Sequence, residues 1–228
     1  MRAGDVPSLV EIVERLPLRS AAPVLTDPLQ LILWENMGYL IDDERRGVLF
    51  EEFANTVGLD AAAVAAADWA LLFAIAKRGG MRPEVRVERW RTIAAIVLSD
   101  CGGDLDGALR RASPGEARAL LKRFPTIGDP GADRILLFAG LAARPCLDSN
   151  GLRALARLGF FAEQGAYAAS YRLAIDVLVA QGRPDRDWLV DAYVALREHG
   201  KALCKRGVPL CPACPLDEVC GHAVVRAL

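Results

Sequence analysis

No apolar run in this 228-residue chain approaches the ~20 residues that a membrane-crossing helix needs; the longest, Trp69–Ala76 and Ile135–Ala143, reach eight and nine. The opening segment MRAGDVPSLVEIVERL carries five charges, so it lacks the apolar heart of a secretion signal. Alternating β-branched segments, internal repeats and low-complexity linkers are missing too, which argues against sheet and solenoid architectures. Net charge is only −1, so no global field draws the chain to a polyanion. What remains, at 53% hydrophobic and 25% charged residues, reads as a soluble globular protein of the cytoplasm. A chain of this length buries roughly 70–75% of its unfolded surface and needs no disulfide staples.

The near-neutral charge hides an asymmetry. Residues 1–70 hold 5 basic and 12 acidic side chains, whereas residues 71–228 hold 23 and 17. The densest basic stretch, Lys77–Arg91, sets Lys77, Arg78, Arg82, Arg86, Arg89 and Arg91 against Glu84 and Glu88. Such a patch suits phosphate contacts, and a solvated helix face explains it equally.

The periodicity is helical throughout, and the fold class is all-α. Asp27-Pro28 supplies a cap and a first-turn proline for a helix through about Ile41. Further helices are expected over Asp43–Val57, from Asp60 through about Lys77, and over Pro83–Ser99 up to Gly102-Gly103. Ser113-Pro114-Gly115-Glu116 has capping-box spacing ahead of Ala117–Arg123. The remaining expected helices are Gly131–Ala142, Ser149–Leu158, Gly165–Ala180 and Arg186–His199.

Four of the six cysteines, Cys204, Cys211, Cys214 and Cys220, fall within seventeen residues as C-x6-C-x2-C-x5-C. Nothing points to secretion, so four thiolates in a Pro- and Gly-rich loop suggest a metal centre. Zinc and a 4Fe–4S cluster both accept four thiolates, and chemistry alone does not separate them. Cys101 and Cys146 lie outside the motif and read as small buried hydrophobes.

The asymmetric spacing, with His199-Gly200 ahead of the first cysteine, resembles the 4Fe–4S cluster loop of the endonuclease III family of helix–hairpin–helix DNA glycosylases. Two upstream segments extend that resemblance. Leu120–Gly128, before a helix, is similar to the superfamily's hairpin, which implies that the backbone at Thr126, Ile127 and Gly128 meets a DNA phosphate. It departs from the pattern at Thr126, where the family has its first hairpin glycine, and at Asp129, a negative charge beside the phosphate site. Leu147–Gly159 resembles the segment bearing the catalytic aspartate, here Asp148. A helix cap alone would also explain that residue, and both roles can hold. A carboxylate at a helix N-terminus stays ionised and can stabilise the oxocarbenium-like sugar formed when an N-glycosidic bond breaks.

Bifunctional members carry a lysine two residues after the second hairpin glycine; Pro130 stands there, so strand cleavage through a Schiff base has no evident nucleophile. Pro28–Phe53 resembles the matching helix pair of the MutY-type adenine glycosylases, placing Glu35 on their catalytic glutamate. Asn150 matches the asparagine two residues after their aspartate. The apolar surroundings of Glu35 in sequence imply burial and a raised pKa, suiting it to protonate a departing base. The glutamine-rich stretch of those enzymes is Gly38–Asp42 here, and eight residues follow Cys220 where they carry a further domain, so adenine opposite 8-oxoguanine is in doubt as substrate. Tyr39 could stack on or wedge beside a base, or simply be core. Arg82, with Arg86, Arg89 and Arg91, falls where the superfamily's barrel meets DNA, and Lys205, with Lys201 and Arg206, lies on the cluster loop.

The resemblance implies two all-α domains: a six-helix barrel with the hairpin over residues 23–142, and an iron–sulfur domain from 1–22 and 143–228. DNA would bind in the cleft separating them, with the target base flipped to Asp148 and Glu35. The implied protein is a monomer, nucleoid-associated, acting on double-stranded DNA with a damaged or mismatched base. Adenine is the first candidate base, ahead of uracil or thymine in mismatches and alkylated purines. The contrasting expectation is a catalytically silent iron–sulfur DNA-binding protein that senses lesions or redox state.

Overall fold

The computed structural model describes residues 7–17 and 25–222. The expected domain boundary at residues 22 and 23 lies outside them. Helices dominate; among the described residues the only strand-like pairing is one isolated bridge, Tyr39 to Gly80. No helix there is long and apolar enough to cross a membrane. The chain divides into two compact units, one drawn from residues 1–20 and 143–228, the other from 21–142.

The first unit opens with α1 (Leu9–Arg15), started by a Ser8–Glu11 capping box. The second unit then holds α2 (Pro28–Glu35), α3 (Asp43–Thr56), α4 (Ala61–Ala66), α5 (Trp69–Ala76), α6 (Pro83–Cys101), α7 (Leu105–Arg111), α8 (Pro114–Leu121) and α9 (Asp129–Phe138). The first unit resumes with α10 (Ser149–Leu158), α11 (Tyr167–Gln181) and α12 (Arg186–Ala202).

Aspartate caps start many of these helices, as Asp27, Asp42, Asp60, Asp104, Asp148 and Asp185 each accept a backbone N–H from the first turn. Ser113 and Glu116 form the expected reciprocal box at α8. The core of the second unit gathers around Phe53 and Trp90, whose rings meet at 4.8 Å. Complete burial of such a side chain contributes roughly 1.5–3 kcal/mol, and the four clustered cysteines lie outside this unit. In the first unit α10 packs on α12, with Leu152, Leu155, Leu189 and Leu196 buried. A Cβ at Gly200 would lie 2.4 Å from the Asn150 carbonyl oxygen, so only glycine permits this close approach of α12 to the start of α10.

Several helix ends differ from the sequence expectation. The alanine-rich run from Asp60 breaks at Ala67, where Arg91 donates to the freed carbonyl at 3.3 Å. Helix α7 interrupts what read as a connection, capped by Asp104. Helix α2 stops at Glu35 rather than near Ile41, because Asn36 closes it and Leu40 turns left-handed at φ +56°.

Candidate active site and nucleic-acid interface

The second unit carries the hairpin. After α8 the chain folds back through Lys122–Ile127, pinned by buried Phe124 and Ile127, and α9 begins at Gly128. Arg118 of α8 staples the two helices by a two-pronged bond to buried Asp133 of α9, at 2.7 and 3.2 Å. Helix α9 starts without a side-chain cap, leaving an exposed N-terminus of the kind that attracts anions. The expected phosphate turn needs one correction: the Ile127 N–H is spent on the Phe124 carbonyl at 3.2 Å. Thr126, standing for a hairpin glycine, adopts a glycine-like φ of +66°. Asp129 does not face the open turn as a bare charge; Lys122 Nζ lies 2.6 Å and Arg118 Nη2 3.1 Å from its Oδ1. The Lys122 ammonium holds the Asp129 carboxyl below its usual range, against a smaller opposing effect of burial.

Glu35 lies in the same unit, on a cavity of about 320 Å³ lined by Asn36, Tyr39, Met81, Arg82 and Arg89. That is the size range of small-molecule sites. The burial expected for Glu35 is not observed. Its side chain is 31% exposed and Arg134 Nη1 of α9 lies 2.6 Å from Oε1, because α2 ends there and the apolar run continues as a turn. Tyr39 is not core: it is 55% exposed, and Leu40 beside it is 79% exposed. The Tyr39 N–H bonds the Gly79 carbonyl at 2.9 Å, and a Cβ on Gly80 would strike the Tyr39 oxygen at 2.3 Å, so glycine holds this apolar tip in place. Arg82 is exposed and left-handed at φ +57°. Arg86 is removed from the expected DNA-facing set. It is buried and donates to the Met81 carbonyl at 3.1 Å and to the Ala76 carbonyl, supporting the loop from within.

Asp148 belongs to the first unit and caps α10. Its Oδ1 accepts the N–H groups of Asn150 and Gly151 at 2.9 and 2.8 Å, and its Oδ2 accepts the Asn150 side-chain amide at 2.9 Å. Asn150 in turn accepts from Arg153 at 3.0 Å, and Arg153 donates to the Gly200 carbonyl at 2.7 Å and the Cys204 carbonyl at 3.0 Å. A continuous chain of hydrogen bonds thus runs from the aspartate to the first cysteine. Arg197 of α12 adds a cation 3.6 Å from Asp148 Oδ2. Tyr167 of α11, whose hydroxyl is pushed up by burial and then by the Asp148 charge, stacks on Tyr171 at 6.2 Å. Arg134, Arg153, Arg157 and Arg197 were not identifiable as site residues from sequence; only their side-chain partners, distant in the chain, mark them.

Cys204, Cys211, Cys214 and Cys220 all line one recess, with His199 and His222 among its other walls. Arg157 approaches the Cys204 sulfur at 3.6 Å and its two neighbouring carbonyls, and the Leu216 N–H points at the Cys214 sulfur at 3.4 Å. Such donors favour thiolates. Burial pushes the Cys214 thiol up, and the charges of Cys220, Cys204 and Cys211 add to it. Four cysteine sulfurs lining one recess are a donor set that fits a bound cationic centre. Among the described residues no three His, Cys, Asp or Glu side chains converge tightly enough to hold a single metal ion. Lys205 is exposed on this loop, and its carbonyl accepts from Arg157 at 2.7 Å.

No family model and no curated protein matches the chain. Solved structures do. A trapped covalent complex of endonuclease III with DNA superposes at a TM-score of 0.75, with 15% identity over 96% of this chain and 94% of that one. A thermostable thymine-DNA glycosylase gives 0.75 and 15% over 96% and 95%. The H. pylori 3-methyladenine DNA glycosylase MagIII, bound to 1,N6-ethenoadenine, gives 0.62 and 17% over 86% and 95%. The chain has the helix–hairpin–helix DNA glycosylase fold.

Proposed function

We propose that this protein is a monofunctional DNA glycosylase of base excision repair, acting as a monomer on double-stranded DNA that contains a damaged or mismatched base. The observation that carries the reading is Asp148, a carboxylate fixed by three hydrogen-bond donors at the N-terminus of α10. Breaking the bond from C1′ to the base nitrogen leaves positive charge on the sugar. A preorganised anion lowers that barrier without moving, water adds to C1′, and the base leaves with a proton. Glu35 is the proposed proton donor, a role that requires Arg134 to release its carboxylate so that it can take up a proton.

The uncapped start of α9 supplies backbone donors for a phosphate at Gly128, and Tyr39, Leu40 and Met81 form an exposed apolar tip suited to enter a base stack. Arg82 and Lys205 are proposed phosphate contacts. Residues 23–142 would be the barrel with the hairpin, and residues 1–22 with 143–228 the cluster domain. Strand cleavage is not expected: Pro130 has no amine, and Lys122 is engaged by Asp129. Cys204, Cys211, Cys214 and Cys220 would hold a 4Fe–4S cluster, which supplies a cross-link for the basic loop and no hydrolytic chemistry. Brown protein absorbing near ~400 nm supports it, and a colourless zinc-loaded anaerobic preparation removes it.

One observation favours a silent DNA-binding protein instead. Arg197, 3.6 Å from Asp148, weakens the field that the aspartate can exert on a cationic sugar. The deciding experiment is base release from duplexes containing adenine, uracil, thymine, hypoxanthine or alkylated bases against each opposite base, scored with and without alkali. Adenine is the proposed substrate, from the match at Glu35 and Asn150. Alkali-dependent cleavage that disappears in Asp148→Asn establishes the enzyme, and loss in Glu35→Gln adds the acid role. Duplex binding without release across the whole panel establishes the silent protein.

A further inference from the structure

Thr126 is a β-branched residue at φ +66°, a conformation that such side chains rarely adopt unless the surroundings impose it. The imposing group is Asn36, 3% exposed, from the end of α2. Its side-chain amide donates to the Ile32 carbonyl at 3.0 Å and to the Pro125 carbonyl at 3.1 Å, and its Oδ1 accepts the Thr126 hydroxyl at 3.2 Å. One carboxamide therefore grips both residues of the Pro125–Thr126 step, across about ninety residues of sequence, while closing its own helix.

We propose that Asn36 is a positioning residue for the hairpin: a side-chain clamp that replaces the conformational freedom of a hairpin glycine and so fixes the direction in which α9 presents its uncapped N-terminus. A glycine at 126 would reach φ +66° unaided; a threonine needs its hydroxyl tied and its preceding carbonyl held. The same end of α2 carries Glu35, which meets Arg134 on α9 at 2.6 Å. Adjacent residues of α2 thus grip the turn and the helix that follows it. The inference rests on the proposed role of the hairpin in DNA binding for its consequence, and on the geometry alone for the clamp.

The test is a double-mutant cycle of Asn36→Leu, Thr126→Gly and the pair. It is read by anisotropy with a labelled undamaged duplex and by hydrogen exchange over residues 122–132, with circular dichroism confirming the fold. Asn36→Leu is expected to weaken duplex binding by about tenfold, the worth of a lost buried partner, and to speed exchange in that segment. In the Thr126→Gly background the same substitution should leave affinity unchanged, because glycine needs no clamp. That rescue is a result that a merely structural asparagine would not give. Equal losses in both backgrounds overturn the proposal, as does a folded Asn36→Leu protein with wild-type affinity and exchange. Should the wild type bind no duplex, the hairpin's DNA role falls, and hydrogen exchange still decides the clamp: faster exchange in Asn36→Leu upholds it and unchanged exchange ends it.

Discussion

Two helices of this protein begin in opposite ways. Helix α10 starts under Asp148, whose oxygens accept two backbone N–H groups and one side-chain amide. Helix α9 starts at Gly128 with no side-chain cap, and Pro130 removes one of its donors outright. The difference separates two uses of a helix N-terminus. At α10 the donors are consumed in holding an internal anion still, which is what electrostatic catalysis demands. At α9 no side chain takes them, which is what the proposed docking on a phosphate backbone demands.

The comparison breaks most visibly if Asp148 loses its charge but keeps its cap. Asparagine caps helices about as well as aspartate, so Asp148→Asn should melt within a few degrees of wild type. Base release should nevertheless fall by about a thousandfold, the upper range for removing one preorganised electrostatic group. Single-turnover release on the best duplex of the panel measures it. A wild-type rate in Asp148→Asn would make Asp148 a cap and nothing more.

A second break lies behind the aspartate. Arg153→Met leaves the Gly200 and Cys204 carbonyls and the Asn150 side chain without their shared donor. Losing the donor of the buried Gly200 carbonyl and of two part-buried acceptors, one of which keeps Arg157 at 3.5 Å, should cost roughly 1–3 kcal/mol, seen as a lowered denaturation midpoint in urea. Orphaned polar groups, more than lost charge, set the size of this effect.

How far such features are legible in sequence follows from their range. The cap at Asp148 with α10 over Ser149–Leu158 and the Ser113–Glu116 box are set by residues two or three apart, and both read correctly. The break at Ala67 is invisible because the run before it is alanine, which favours helix; the residue that donates to its carbonyl, Arg91, is 24 positions away. The burial expected of Glu35 failed for a related reason. Its apolar neighbours are buried, yet its carboxyl is 31% exposed and pairs with Arg134, ninety-nine positions on. Arginines in a sequence look like solvated charge, and only the fold shows that Arg86, Arg153 and Arg157 spend their donors on backbone carbonyls.

The contrast sharpens if α9 is given the cap it lacks. Gly128 has φ −94°, open to any residue, and a Cβ there would touch only the Pro130 ring at 3.9 Å. Gly128→Ser should therefore fold without strain, occupy the Gly131 N–H from within, and stabilise α9 by about 0.3 kcal/mol. Duplex affinity should weaken by about tenfold as the donor is withdrawn from the phosphate. Stability rising while binding falls is the signature of a terminus kept open for a ligand. Rising stability with unchanged binding would place the phosphate contact elsewhere.

The smallest expected effect concerns the other aspartate. Asp129 stands in the first turn of α9, where an acid favours the helix but opposes an incoming phosphate. Its pairing with Lys122 and Arg118 resolves that conflict. The folded carboxyl is held below its usual range, so the pair stabilises the protein above the unfolded value of about 3.9 and loses that contribution as pH falls through the lowered folded value. Because both partners of the Lys122 pair are nearly half exposed, Asp129→Asn should cost under ~1 kcal/mol at neutral pH. The gap to wild type should close in acid and shrink in high salt. Freed of the carboxylate, Lys122 and Arg118 present one more net positive charge to DNA. Duplex binding by Asp129→Asn should tighten at low salt, and the slope of log affinity against log salt should steepen by about one. An unchanged slope would mean that these cations stay committed to Asp133 and the hairpin itself, leaving the open N-terminus of α9 to meet the phosphate on its backbone donors alone.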